Sequence, residues 1–370
     1  MQLLNRAREL EARGRDIVHM EIGEPDFPTA GPLVSAAVDS LHRGNTGYTP
    51  AGGLPTLREA IAGHYAESSG VDVPAERIFV TPGASGALMV AMALLLDSGQ
   101  RVLLPDPGYP CNRNFVRHLD GVPVSVPVAA ETGFQPTLAD LERYWHEDCV
   151  AAIVGSPANP TGTVMALSQL AAVRDWLVAR GAALVVDEIY HGLTYGVDLR
   201  SALAVRDDVF IVNSFSKYFG MTGWRLGWLV VPPGYEGAAM RLAQNLYIAA
   251  PTPSQHAALA CFTPQARTEF EARRQLFLER RDFLMPALEE LGFGIPARPE
   301  GAFYIYADCG ALGWDGATLS TRLLEEAGVA ITPGLDFGSN GTDRFVRLAY
   351  TSSLERLHEG VRRMRAWLAS

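Results

Sequence analysis

The sequence predicts an α/β fold: a large unit built on a mainly parallel central sheet flanked by helices, joined to a smaller α+β unit. Three observations carry that prediction. The chain has 370 residues, 48% hydrophobic and 19% charged, which is enough apolar material for one large core or two medium ones. Apolar, β-rich runs alternate with helix-period segments through its middle, the pattern of βα units wound into a parallel sheet. From about Pro251 onward the alternation gives way to long helical stretches with a few short strands.

Taken in order, the elements begin with a helix ending at Gly14 and a strand over residues 17–22. Neither continues the later alternation, so residues 1–44 are grouped with 251–370 as the smaller domain and 45–250 form the larger one. Short, continuous apolar runs predict strands over 78–81, 102–104, 122–126, 150–154, 183–186, 209–213 and 226–231, each covered on both faces. Helices over 86–96 and 167–180 fall between them, and Gly181 stands where a helix C-terminus needs a left-handed residue. Right-handed crossovers would place such helices on both faces of the sheet. The C-terminal part offers a long helix over 265–291, strands over 303–307 and 345–350, and a closing helix from Ser353. Segments rich in Gly and Pro, over 44–55, 105–110 and 156–162, lie between elements and read as loops that build a site.

Composition excludes several functions. A net charge of −10 and a pI near 5.3 leave no excess of cations to displace the counterions of a nucleic acid. The longest apolar run, residues 87–96, is about half the ~20 residues that span a bilayer, so it reads as a buried helix. The first fifteen residues mix Arg and Glu without an apolar export core, which makes the cytoplasm the expected location. Cys111, Cys149, Cys261 and Cys309 are scattered, with neither C-x-x-C spacing nor a neighbouring His pair, so neither a metal site nor a disulfide framework is expected.

The sharpest compositional fact is that the 31 basic side chains include one lysine, Lys217. Arginine replaces lysine at most solvated positions, but a guanidinium cannot act as an amine nucleophile, whereas a desolvated ammonium can lose its proton and do so. In an open parallel sheet, ligands bind beyond the carboxyl ends of the strands. Three strands end in polar residues: one in Asp187-Glu188-Ile189-Tyr190, one in Gly155-Ser156-Pro157-Ala158-Asn159-Pro160-Thr161-Gly162, and one in Asn213-Ser214-Phe215-Ser216-Lys217. An acid, an amide and the sole lysine therefore leave the sheet at one edge.

Together with Ile22-Gly23-Glu24-Pro25-Asp26-Phe27, Tyr48-Thr49-Pro50, Thr81-Pro82-Gly83-Ala84-Ser85-Gly86-Ala87, Pro107-Gly108-Tyr109-Pro110, Arg225, Gly301-Ala302-Phe303 and Val346-Arg347-Leu348, these stretches resemble the class I/II, fold-type I pyridoxal-phosphate (PLP) aminotransferases. The resemblance covers nearly the whole chain, with the motifs in the family's order. It implies a PLP enzyme that exchanges an amino group between an L-amino acid and a 2-oxo acid. Lys217 then matches the lysine that holds the cofactor as a Schiff base and later moves the Cα proton. Asp187 matches the carboxylate facing the pyridine nitrogen. Tyr190 and Asn159 match the groups that hydrogen-bond the cofactor's phenolic oxygen, and Tyr109 the ring stacked on its face.

For the phosphate, the resemblance implies the helix start at Ala84 and Ser85, where free N–H groups favour an anion, together with Ser214 and Arg225. Tyr48 matches a residue that reaches the phosphate of a neighbouring subunit, which implies a homodimer with shared active sites. Arg347 matches the arginine pairing with the substrate α-carboxylate, while Gly23 and Ile22 lie against the substrate beside Asn159. No arginine matches the one that binds a side-chain carboxylate in dicarboxylate-specific members. Members usually carry a further N-terminal arm, whereas this sequence begins almost inside the first helix; either the arm is absent or the sequence is internal to a longer product.

Two alternatives stand beside this reading. A carbon–sulfur β-lyase would keep the scaffold and cofactor and differ in releasing pyruvate and ammonia without an oxo-acid acceptor. A non-catalytic regulator with an aminotransferase-like domain usually adds an N-terminal DNA-binding module, for which the segment before Ile17 offers no room. A nucleotide-binding doubly wound protein lacks its G-x-G-x-x-G or G-x-x-x-x-G-K-[ST] signature here.

Overall fold

The computed structural model describes residues 2–370. Its first strand, β1 (Val18–His19), is short, because the chain leaves the pairing after Met20 to enter the site loop. The next seven strands form the central sheet: β2 (Ile78–Thr81), β3 (Arg101–Asp106), β4 (Val122–Pro127), β5 (Cys149–Gly155), β6 (Ala183–Asp187), β7 (Phe210–Ser214) and β8 (Gly227–Val230). They lie in the order β2-β8-β7-β6-β5-β3-β4, and only β8 runs against its neighbours.

Alternate residues of each strand feed opposite cores, as the period of 2 requires. Val80, Ala152, Val154, Leu184, Val186 and Ile211 pack on one face with Leu57, Ile61, Leu170 and Val173. Phe79, Val102, Ile153, Val185, Val212 and Leu229 pack on the other, against Ala87, Val90 and Ala91 of the helix Gly83–Leu95. Burial on both faces holds for the inner strands but not for β4, an edge strand that leaves Val122 exposed.

The second core surrounds a three-stranded antiparallel sheet of β9 (Tyr304–Asp308), β11 (Thr332–Pro333) and β12 (Phe345–Ala349), while β10 (Val329–Ala330) pairs in parallel with β1. Both chain ends contribute to it, through Val18 and Met20 and through Leu357 and Met364. The helix Pro264–Glu290 ties the two cores together: Phe270 belongs to the first, and Phe277 and Leu284 to the second.

The expected boundaries at residues 44 and 251 cut through the first core. Leu33 and Ala37 of the helix Gly31–His42 pack there with Ala257 and Ala258 of the helix Thr252–Ala258. We propose boundaries near residues 28 and 271, since the buried apolar residues on either side of those points pack into different cores. Among the described residues, no helix is long and apolar enough to cross a membrane.

Candidate active site

Strands β5, β6 and β7 are adjacent and parallel, with Gly155 opposite Asp187 and Asp187 opposite Val212. Their carboxyl ends therefore deliver Asn159, Asp187, Tyr190, Ser214 and Lys217 to one edge of the sheet. The same edge receives Arg225 just before antiparallel β8, the helix start after β2, and Tyr109 just after β3. The small sheet closes over this edge with Arg347 of β12 and the loop after β1.

The resulting cleft is lined by Ile22, Gly23, Ala84, Ser85, Tyr109, Asn159, Ser214, Lys217, Arg225 and Arg347, all expected from the sequence. Asp187 and Tyr190 line a deeper cavity that shares Tyr109, Asn159, Ile189 and Phe337 with the cleft. Tyr48 lines neither; its side chain is 84% exposed.

Lys217 donates from Nζ to the carbonyl of Gly23 at 2.8 Å. Burial lowers its pKa to about 8, and the neighbouring cations Arg347 and Arg225 act in the same direction. The amine is thus available near neutral pH in a way a solvated lysine is not. Asp187 shows the converse effect. Its carboxyl accepts one hydrogen bond, from the Ile189 N–H at 3.2 Å, and burial pushes its pKa up to about 7 with a smaller contribution from Glu188. A buried acid so poorly supplied with donors is suited to a cation brought in by a ligand.

The helix Gly83–Leu95 has no side-chain cap on its first N–H groups, and Ala84 and Ser85 open onto the cleft. Gly83 (φ +71°) and Gly227 make this approach feasible. A Cβ on Gly83 would fall on the Arg225 guanidinium, and one on Gly227 would meet the Ala84 amide at 2.7 Å. Arg225 itself adopts φ 52°, a region that side chains other than glycine rarely occupy, and it donates to the Thr222 carbonyl at 2.9 Å. Uncapped amides and a guanidinium directed into one corner make an anion site, so phosphate fits there as the amine and the acid fit the two ends of a pyridoxal ring.

Arg347 is 7% exposed and held on several sides. Nη1 donates to Asn159 Oδ1 at 2.9 Å and Nη2 to the Glu21 carbonyl at 2.7 Å, while Nε has no partner among the described residues. Gly23 is held by its neighbours: Asp26, three residues on, accepts from both terminal nitrogens of Arg280 at 2.8 and 2.9 Å. The sequence reading missed Tyr304, whose hydroxyl lies 2.9 Å from that of Tyr190 and whose ring stands 4.2 Å from the Arg347 guanidinium carbon. Its only signal was its position directly after Gly301-Ala302-Phe303. Leu3, Leu4, Glu24, Asp336 and Phe337 also line the cleft and were not anticipated.

All four cysteines are free, three buried and Cys111 half-buried at the cleft. Among the described residues, no group of three or more His, Cys, Asp or Glu is placed to hold a metal ion.

Comparison with known proteins agrees with this geometry. The family described as aminotransferase class I and II matches residues 15–364. A valine–pyruvate aminotransferase of Mycobacterium tuberculosis is 37% identical over 98% of this chain and 94% of its own length. A probable aspartate/prephenate aminotransferase of Aquifex aeolicus is 37% identical over 97% and 93%. Among solved structures, an aminotransferase from M. tuberculosis superposes with a TM-score of 0.96 at 38% identity, covering 100% of this chain and 96% of that one. The aspartate aminotransferase of Thermus thermophilus with maleate gives 0.93 at 35% identity over 99% and 95%. None of these relatives points to a β-lyase or a regulator.

Proposed function

The chain belongs to the class I and II aminotransferase family and is a PLP-dependent transaminase of fold-type I, and from that premise we propose the residue roles and the kind of substrate. The observation that carries the proposal is the convergence of the only lysine and a buried arginine on one cleft, with a buried acid in the cavity that adjoins it.

When bound, pyridoxal phosphate supplies an electron sink that stabilises negative charge at the substrate Cα. Lys217 is the residue that holds it covalently and, once released, the base that takes the Cα proton and returns it. Its depressed pKa leaves a useful fraction of free amine near neutrality. Asp187 would hold the pyridine nitrogen, a cationic partner for a buried carboxyl that the Ile189 N–H alone supplies with a hydrogen bond. Tyr190 and Asn159 would hydrogen-bond the phenolic oxygen, and Tyr109 would cover the ring face. Ala84, Ser85, Ser214 and Arg225 bind the phosphate. Arg347 orients the substrate α-carboxylate against the Gly23 and Ile22 backbone, its guanidinium fixed by Asn159 and the Glu21 carbonyl.

The side-chain preference follows from charge. The cations described in the cleft are Lys217, Arg225 and Arg347, each already assigned, and Arg113 of the adjoining cavity donates to the Asp336 carbonyl at 2.9 Å; the rest of the cleft lining includes Leu3, Leu4, Ile22 and Phe337 and the acids Glu21, Glu24 and Asp336. A second carboxylate on the substrate would meet acids where it needs a cation. Neutral, apolar amino acids and their oxo acids are therefore the preferred partners, in keeping with the name of the valine–pyruvate relative.

The enzyme is further read as a homodimer. Tyr48, Leu246 and Ile248 are exposed on two segments joined by the Thr252 hydroxyl donating to the Gly47 carbonyl at 2.7 Å. This surface is suited to a second copy, with Tyr48 reaching the partner's phosphate. Four free thiols support a reducing, cytoplasmic setting.

Borohydride reduction of the holoenzyme followed by digestion tests the central assignment: a pyridoxyl adduct belongs on the Lys217 peptide, and its absence would refute it. Lys217→Ala should abolish turnover while the circular dichroism spectrum is retained. Valine and alanine should exceed aspartate and glutamate in kcat/KM by roughly 100-fold, the order expected when a charge is left buried without a partner.

A further inference from the structure

Tyr304 touches three of the assigned residues. Its hydroxyl lies 2.9 Å from the Tyr190 hydroxyl. The Arg347 guanidinium stands over its ring, with Cζ 4.2 Å from the centroid. The hydroxyl also fills the space that a Cβ on Gly23 would need. The side chain is 2% exposed and wedged edge-on against Tyr190 and Phe303, with centroids 5.7 and 4.9 Å away.

A phenol has one proton to donate. Where Tyr190 directs its proton to the cofactor's phenolic oxygen, the proton in the Tyr190–Tyr304 bond must come from Tyr304. The cation over the Tyr304 ring favours that direction, because a nearby positive charge makes a phenol a better donor. Chained hydrogen bonds polarise one another, so a stronger donor at Tyr304 makes Tyr190 a stronger donor in turn.

We propose that Tyr304 is a positioning residue that donates to Tyr190, orients that hydroxyl toward the cofactor's phenolic oxygen, and passes to it the charge state of Arg347. This rests on the roles given above to Tyr190 and Arg347. It predicts a second route between the carboxylate site and the cofactor, parallel to the direct bond from Arg347 to Asn159. When a carboxylate offsets the Arg347 charge, Tyr304 and then Tyr190 become weaker donors. The pH midpoint of the bound cofactor's absorbance should then move upward.

Tyr304→Phe removes the hydroxyl and keeps the ring. In the holoenzyme, the pH midpoint of the bound cofactor's absorbance should rise by roughly 0.5–1 unit, the equivalent of one lost hydrogen bond. The further rise caused by isovalerate, a carboxylate that cannot react, should be smaller than in the wild type. In a Tyr190→Phe background, Tyr304→Phe should add no shift, because its route to the cofactor is gone. A wild-type midpoint and isovalerate response in Tyr304→Phe would overturn the proposal even if the melting temperature fell, since that pattern describes packing alone. An equal shift in both backgrounds would overturn it too. Failure of the underlying reading looks different: the wild type itself would show no pH-dependent cofactor absorbance.

Discussion

Replacing Asp187 by Asn should stabilise the cofactor-free protein and disable the loaded enzyme, and the two effects have one cause. Burial holds the Asp187 carboxyl near 7 against 3.8 for an ordinary aspartate, with the Ile189 N–H its one hydrogen-bond donor. Between those values the unfolded chain has lost the proton and the folded protein retains it, so the folded state binds more protons and stability falls as pH rises. Moving a carboxyl from 3.8 to about 7 corresponds to a ceiling of about 4 kcal/mol at neutral pH, of which less than 1 kcal/mol has accrued by pH 4. An amide does not titrate. Urea unfolding of both proteins, stripped of cofactor, should show the Asn variant gaining up to about 3 kcal/mol on the wild type between pH 4 and pH 7. With cofactor bound, the comparison reverses, because the carboxylate gains a cationic partner that Asn cannot match; kcat should fall by roughly 100-fold or more. A stability difference independent of pH over that window would show that Asp187 is not a strained buried acid, and the argument for its place opposite the pyridine nitrogen would lose its physical basis.

Gly23→Ala should cost roughly 1–3 kcal/mol of stability and lower kcat/KM, because its methyl group would collide with the Tyr304 hydroxyl. Tyr304→Phe in the same chain should recover part of the stability, which thermal melting of the single and double variants would reveal. Arg347→Lys keeps the charge but cannot bond Asn159 and the Glu21 carbonyl together, so kcat/KM should fall by roughly 100-fold while Lys217 still takes up cofactor. His19 bonds Glu21 at 2.8 Å and Glu11 at 3.0 Å, and its pKa is raised to about 9, chiefly by the bond to Glu21. Its folded value lies above the unfolded one, so its contribution is complete below about pH 6.5 and disappears as pH rises through about 9; His19→Gln should destabilise by up to about 3 kcal/mol near pH 6 and by far less near pH 10 in urea titrations.

Much of this arrangement was legible in the sequence because it depends on local order along the chain. Strands β2 to β8 lie within a few residues of their predicted spans; for all but the edge strand β4 the reason is that a strand packed on both faces has to be a short, unbroken apolar run. Most of the cleft was legible for the same reason: a parallel sheet places every strand's carboxyl end on one side, so Asn159, Asp187, Ser214 and Lys217 meet without any long-range contact being specified. What escaped depends on contacts between segments far apart in sequence. The helix Gly31–His42 reads like part of the N-terminal unit, yet Leu33 and Ala37 pack with Ala257 across more than two hundred residues.

Tyr304 shows where such reading stops. Its neighbours in sequence mark a strand entering the small sheet, and nothing in that run distinguishes a tyrosine that fills space from one that directs a proton. The distinction lies in what surrounds its hydroxyl and ring: Tyr190 from β6's end, Arg347 from β12, and a glycine 281 positions earlier whose missing side chain leaves room for the oxygen. The Arg347 guanidinium is itself buried, and its charge is tolerated only while the Glu21 carbonyl, the Asn159 amide and the Tyr304 π-face surround it. With that shell closed before any ligand arrives, a carboxylate that reaches the guanidinium offsets its charge. Binding at Arg347 must therefore alter the electrostatics felt by Tyr304, and the same contact that selects the substrate adjusts the hydroxyls facing the cofactor.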